Sequence, residues 1–532
     1  MLLVAVSTPF INTMIQIRSI LLLLFSCSSI QLYSSWPQWR GAFRNGVAQD
    51  SPPLTTEFPE EGPKLLWESF EIPSDDDGGH SSLVIEGDKV YLSLVWHRDV
   101  PSKERTISSK VLRTLGHRNT NLSKEKLAII ERARLERSPR LRGSKLEEWM
   151  NLWIEENLNE KEKLHYSGFI KSRLKQGKFA LPLDLLDAVA QKKDTVFPDH
   201  ETFVNWVKSN NWPDDLAQKV IDAVPATMQQ ASDTVLCLDA KSGKEIWRFE
   251  KETTPVGRNA ASTPCIADGK VFAVGAYRAY CLNADSGKVL WDLEIKNKGP
   301  AASPLYAEGK FFLLDSGLKA LNAENGEEMW LQKKVNNKNA SPVAWGKGKA
   351  LTIACQGSTE FIGVNGNTGE IRWEVSGGGD STAAIDQNLV AVQNQRSDSG
   401  LVVHRITEDR IEKIWEHLYT SRRYSSSPLV FKDKVYLLGA SRHLCADLKT
   451  GKILWNQPAK SEISSPILAD GKLFVLENNG ALLTVLDANA EEYTELARTK
   501  IRAMRCPSPA ISDGLLFVRK VDKIACFDLR KQ

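Results

Sequence analysis

Apolar positions along this chain fall into short alternating runs broken at regular intervals by turn residues. One pattern opens with Ser or Thr, in most copies followed by Pro, passes through a Gly- or Asp-containing turn and continues into a second apolar stretch. It occurs as SSLVIEGDKVYLSLV, STPCIADGKVFAVG, ASPLYAEGKFFLL, ASPVAWGKGKALTIA, DSTAAIDQNLVAVQ, SSPLVFKDKVYLL, SSPILADGKLFVL and PSPAISDGLLFVR. Two-residue alternation on either side of such turns predicts β-hairpins. A second unit lies between the copies: CLDAKSGKEIW ending at Trp247, CLNADSGKVLW at Trp291, ALNAENGEEMW at Trp330, GVNGNTGEIRW at Trp373 and CADLKTGKILW at Trp455. A degenerate copy ends at Trp415, VLDANAEEYTEL lacks both the glycine and the tryptophan, and CFDL stops as the chain ends. Four strands per period of about 40 residues are the signature of a propeller blade. Eight hairpin openings therefore predict an all-β fold, an eight-bladed β-propeller. The run Lys64-Leu65-Leu66-Trp67 is a tryptophan-ending strand with no hairpin of its own. Pairing it with the last strands of the chain closes the ring and removes two exposed sheet edges.

One stretch departs from this pattern. Segments 123–137, 144–176, 182–193, 199–209 and 213–224 carry helical periodicity, Ser144 to Glu147 has capping-box spacing, and Pro182 and Pro213 stand at first turns. The expected organisation is a signal peptide over 1–35, the closing strand and the start of blade 1 over 36–96, an α-helical insertion in blade 1 over 97–232, and the rest of the propeller over 233–532. The signal reading rests on Arg18 followed by SILLLLF and then small and polar residues, with Met14 as an alternative start. Lipidation at Cys27 and an uncleaved anchor stay open, and the expected location is the periplasm or cell envelope.

A formal charge of +3 gives no global argument for nucleic acid or a polybasic membrane surface, and no nucleic-acid partner is expected. Charge is uneven within the insertion, however: 103–145 holds 13 basic and 4 acidic residues, against 10 and 14 over 146–230. The first part suits an anion or an acidic partner, or else, as the favoured reading, a plain solvated helical face. Eight cysteines are scattered without a CxxC, CxxCH or adjacent pair, so zinc, redox-motif and c-type haem readings fall away and free thiols are expected.

The frame AxDxxTGKxxW resembles the tryptophan-docking motif of the quinoprotein dehydrogenase-like propellers. That family includes pyrroloquinoline-quinone enzymes and the non-enzymatic lipoprotein of outer-membrane barrel assembly, and the opening WPQWRGAFRNG (36–46) also looks like the start of exported members. The resemblance implies that Trp247, Trp291, Trp330, Trp373 and Trp455 are structural, each lying between blades over a turn glycine. It implies that Cys237, Cys281, Cys445 and Cys526 are small buried spacers.

In a four-stranded blade the loop entering the first strand and the loop joining the second and third strands share one face. The insertion is expected on that face, beside the channel mouth. Polar entry loops bring His80, Arg258, Asn259, Asn339, Asp380, Arg422, Arg423, Tyr424, Arg502 and Arg505 towards the same rim as candidate ligand-binding residues. The loop of Asp75, Asp76, Asp77 and His80 lacks the ligand number that calcium or zinc requires, so no metal is expected. No catalytic residue is assigned. Two functions follow: an exported binding or scaffolding platform with no cofactor, taking a protein or peptide partner at the mouth and insertion, with peripheral membrane association open; or, under the enzyme reading, an alcohol or sugar dehydrogenase using pyrroloquinoline quinone and calcium.

Overall fold

The computed structural model describes residues 35–531 except 75–76, 258–259, 338, 396–399, 419–425, 440–441 and 460–463. The signal segment and Cys27 lie outside the described residues. The chain is mostly β, a propeller-type arrangement of four-stranded antiparallel sheets numbered here 1 to 8 in chain order. Sheet 1 comprises Val84–Glu86, Lys89–Pro101, Thr227–Asp239 and Glu245–Thr253. Sheets 2 to 7 follow the same plan in uninterrupted sequence. Sheet 8 takes three strands from the C-terminus and its outer strand, Lys64–Glu68, from the N-terminus. In it Lys64 pairs with Asp528, Leu65 with Phe527 and Trp67 with Cys526.

The Ser/Thr residue opening each hairpin is the inter-sheet tie. The backbone N–H of Ser82 donates to Thr263 Oγ1, Thr263 N–H to Ser303 Oγ, Ser303 to Ser341, Ser341 to Thr382, Thr382 to Ser427, Ser427 to Ser465 and Ser465 to Ser508. Ser508 N–H then donates to Ser82 Oγ, so the chain of bonds closes on itself. All eight span 2.9–3.0 Å and all eight residues are buried. Proline follows in six of the eight, where it holds the backbone extended and adds no N–H needing a partner.

Farther out, indoles lock neighbouring sheets. Trp67, Trp247, Trp291, Trp330 and Trp415 donate Nε1–H to Ala240, Ala284, Ala323, Gly366 and Leu448 carbonyls at 2.9–3.3 Å. Each ring lies on a turn glycine of the next sheet: Gly243, Gly287, Gly326, Gly369 and Gly451. These glycines have φ of 67–76°, and a Cβ on Gly287 would stand 2.5 Å from the Trp247 ring. Where Asp409 and Glu491 stand in glycine's place, the facing indoles of Trp373 and Trp455 find no acceptor for Nε1–H. In all eight sheets a register shift in the outermost strand pair falls beside the tryptophan or its counterpart. Cys237, Cys281, Cys445 and Cys526 sit opposite the tryptophans at that step. The seven described cysteines are free, and burial pushes these four thiols up to about 12.

Seven helices lie between the second and third strands of sheet 1: α1 Ser109–Leu115, α2 Lys124–Glu136, α3 Gly143–Asn157, α4 Glu160–Gln176, α5 Leu183–Ala190, α6 His200–Ser209 and α7 Asp214–Ala223. They form two apolar clusters. One unites α2, α3 and α4 around Ile130, Met150, Ile154 and Ile170; the other unites α1, α5, α6 and α7 around Leu186, Val189, Phe203 and Val220. The boundaries expected at 97 and 232 fall inside paired strands, because the ladder from Lys89↔Asp239 continues to Pro101↔Thr227. The helical periodicity of 144–176 is divided between two helices, since Asn159 caps a new start with a reciprocal Glu162 bond. No such box forms at Ser144, where the helix starts at Gly143 without a side-chain cap.

Replacing Trp291 with Ala removes a buried indole and its bond to Ala323, and should lower unfolding free energy by about 3–5 kcal/mol through the cavity left behind. Denaturant titration measures this, and a loss under about 1 kcal/mol would show the indole to be dispensable at the seam.

Candidate binding face and axial plug

Inner strands of a ring of sheets present unpaired backbone groups to the axis. Here the segment 36–48 satisfies several of them. Trp36 exchanges two backbone bonds with Ile85 of sheet 1, the Pro37 carbonyl accepts from Ile266 N–H of sheet 2, and Gly46 and Ala48 bond Leu468 of sheet 7. Arg44 donates to the Ser303 and Pro304 carbonyls of sheet 3, and Arg40 to the Pro428 carbonyl of sheet 6. Sheets 2 and 6, and 3 and 7, stand four steps apart around the bond ring, so the segment crosses the axis.

Both guanidiniums are 1% exposed and flank the Trp39 ring at 5.7 and 5.9 Å. Burial lowers Arg40 to about 9, with Arg44 contributing, and lowers Arg44 to about 10; both stay charged at neutral pH. Arg40 Nε and Nη1 and Arg44 Nε have neither a partner nor accessible surface. The pair therefore ties the plug to the sheets and offers no open ligand site. The two arginines and two tryptophans of WPQWRGAFRNG were the available signal, but composition alone does not tell a plug from a leader.

Of the rim residues expected from sequence, Arg258, Asn259, Arg422, Arg423 and Tyr424 lie outside the described residues, as do Asp75 and Asp76. Asn339 Nδ2 donates to Asp380 Oδ1 at 2.9 Å, joining the loops that enter sheets 4 and 5. His80 is buried and Arg505 half-buried. Arg502, at φ 54°, lines the groove between sheets 7 and 8 with Lys500 and the strap 54–65. The described residues thus bring together Asn339 and Asp380 and place Arg502 at a seam.

A junction between the mouth and the helices is more developed. Arg113 of α1 forms a two-pronged ion pair with Asp77 at 2.9 and 3.0 Å. His97 Nδ1 lies 2.9 Å from the Asp77 carbonyl, while Nε2 accepts Val256 N–H at 3.1 Å. Those bonds select neutral imidazole with its proton on Nδ1. One histidine and one arginine thereby join the entry loop of sheet 1, the insertion and the connection into sheet 2.

The sequence comparisons match a family described as outer membrane protein assembly factor BamB over residues 231–393 and 314–532, more than half of the chain. The chain belongs to this family of pyrroloquinoline-quinone-like propellers. It is 28% identical over 162 residues to the quinoprotein alcohol dehydrogenase PedH of Pseudomonas putida, covering 25% of this chain and 26% of that protein. It is 27% identical over 114 residues to BamB of Burkholderia pseudomallei, covering 21% and 29%. Against the tetrathionate hydrolase of Acidithiobacillus ferrooxidans it is 23% identical over 318 residues, 49% and 62%. The matches thus span less than two thirds of each relative. Among solved structures, BamB from Moraxella catarrhalis is similar with a TM-score of 0.46 at 14% identity, covering 57% of this chain and 92% of that one.

A quinone-calcium pair needs several oxygen donors around the cation and room for a planar ring system. Among the described residues no group of three or more His, Cys, Asp or Glu is placed to hold a metal ion, and the axis carries the plug.

Burial lowers the His97 pKa from 6.5, against a smaller raising effect of Asp77 and Asp99 and with Lys110 adding to the lowering. The folded state therefore binds fewer protons than the unfolded chain between the folded value and 6.5. Stability from this site is complete above 6.5 and falls as pH drops through that window. Melting temperature should decline from about pH 7 to about pH 5, with a shallower slope in His97→Asn; an unchanged slope would show that His97 does not titrate in the fold.

Proposed function

We propose that the chain is an exported, eight-bladed propeller that works in the cell envelope as a binding platform, with the helical segment of blade 1 as its recognition element for a protein or peptide partner. The observation that carries this reading is the junction of Asp77, Arg113 and His97, which fixes a helical unit with its own two cores against the mouth loops. A loop serving only as a connection needs neither a core nor a latch. The tryptophans over turn glycines, and the strand Lys64–Glu68 on the last blade, act as the structural staples of the ring. The likeness to BamB, named for outer membrane protein assembly, supports a scaffold role. Among the described residues no helix is long and apolar enough to cross a membrane.

A second reading, a quinone-dependent dehydrogenase, draws on the likeness to PedH. It requires a calcium donor set, and among the described residues no group of three or more His, Cys, Asp or Glu is placed to hold a metal ion. Mixing the purified protein with pyrroloquinoline quinone and Ca²⁺ discriminates: a bound-cofactor spectrum with alcohol-dependent dye reduction would favour the enzyme.

The platform reading is tested by replacing residues 102–226 with a short Gly/Ser turn, keeping the Pro101↔Thr227 ladder intact. The shortened chain should fold with the β-rich spectrum of the parent and lose the envelope partners that the full chain retains. Retention of the same partners would place recognition on the blades.

A further inference from the structure

The two helical clusters of the insertion meet at a cleft of about 120 Å³ lined by Arg113, Arg118 and Arg173 together with Ser172, Gln176 and Phe169, and by no acidic residue. The arginines come from three places: α1, the turn after it, and α4. Each of the two better-held guanidiniums is anchored by a carboxylate outside the cleft lining. Arg113 gives Nη2 to Asp77; Arg173 gives Nε to Glu131 and Nη2 to the Leu181 carbonyl. Among the described residues, Nε and Nη1 of Arg113 and Nη1 of Arg173 have no partner, and neither has the exposed Arg118.

Glu131 serves two arginines, Arg134 and Arg173. Three arginines line the cleft, Arg113, Arg118 and Arg173, and of the two carboxylates that hold them, Asp77 and Glu131, the second is shared with Arg134 outside the lining, so positive charge is in excess around the cleft. Like charges held around one small cleft repel unless an anion offsets them, and guanidinium forks match the two-oxygen edge of a carboxylate or phosphate. The cleft is well below the roughly 300 Å³ of a drug-sized pocket, so it suits a single charged group. Phe169 forms an apolar wall, with the Arg173 guanidinium 5.9 Å from its ring.

We propose that this cleft is an oxyanion-binding site that takes one carboxylate or phosphate group. The use of the site by a partner rests on the platform reading above, but anion binding by the cleft stands or falls separately. Arg118 is the residue to vary, because it is exposed and makes no ion pair, so its loss leaves the fold intact.

Calorimetric titration of the full chain with inorganic phosphate, and separately with succinate, at constant ionic strength in a buffer without other oxyanions, tests the assignment. At least one of the two should bind saturably. Arg118→Gln should weaken that binding about tenfold or more with unchanged melting temperature, Arg118→Lys should restore part of it, and Arg132→Gln on the solvent face of α2 should bind as the parent does. Preference for phosphate or for succinate identifies which group the site is built for. Absence of saturable binding to both, or equal binding by Arg118→Gln and the parent, would overturn the proposal.

Discussion

Each sheet offers its neighbour one buried backbone N–H and receives one into a Ser or Thr hydroxyl, and the eighth such bond returns to the first sheet. A hydrogen bond of this type contributes about 0.5–1.5 kcal/mol net, whereas a buried N–H left without an acceptor costs about 1–3 kcal/mol. The asymmetry makes the circle a closure constraint: a ring left open would strand one donor and one hydroxyl. Other ties follow from the sheet spacing set at this inner circle. Indoles reach the next turn glycine only if the sheets already stand at that distance, and the N-terminal segment can span the axis only if the opposite inner strands hold their positions.

The joint between the chain ends shows how the fold handles a place where its repeat is missing. Sheet 7 has Ala497 where other sheets have tryptophan, and sheet 8 takes its outer strand from the other end of the chain. The strap beginning at Leu54 fills the gap. Leu54 is buried, and Thr55 N–H bonds the Leu529 carbonyl at 2.8 Å, the group that corresponds to the indole acceptors of other seams. The N-terminal residues thus plug the axis, staple the last seam and finish the last sheet in one pass.

Much of this architecture was legible because it is repetitive. Hairpin openings, turn glycines and tryptophans recur at fixed offsets, so each copy corroborates the others, and even the missing glycines at Asp409 and Glu491 mark the seams with orphaned indole N–H groups. The functional features are single-copy and were harder to read. Arg40 and Arg44 lie in a polar, unpatterned stretch whose burial depends on sheets hundreds of residues away. His97 looked like a loop residue because the second strand of sheet 1 runs farther than its siblings. Arg113 and Arg118 were visible only as part of a regional excess of positive charge and Arg173 lies in the acidic stretch that follows, since helix packing rather than spacing brings the three together. The rim polar residues rest on loop position alone, and loop position does not specify which side chains converge.

Ring and helical segment are structurally divided: a circle of eight sheets with a plug on its axis, and, fastened to it at Asp77 and His97, helices with two cores of their own. That division depends on the ring being continuous through sheets 8 and 1. Native-state hydrogen exchange at the amides of Ser82, Thr263, Ser303, Ser341, Thr382, Ser427, Ser465 and Ser508 tests this most directly. A closed circle predicts that all eight exchange only through a shared, high-energy opening close to global unfolding. Exchange of Ser508 through a separate, much lower-energy opening, with the other seven still protected, would contradict closure.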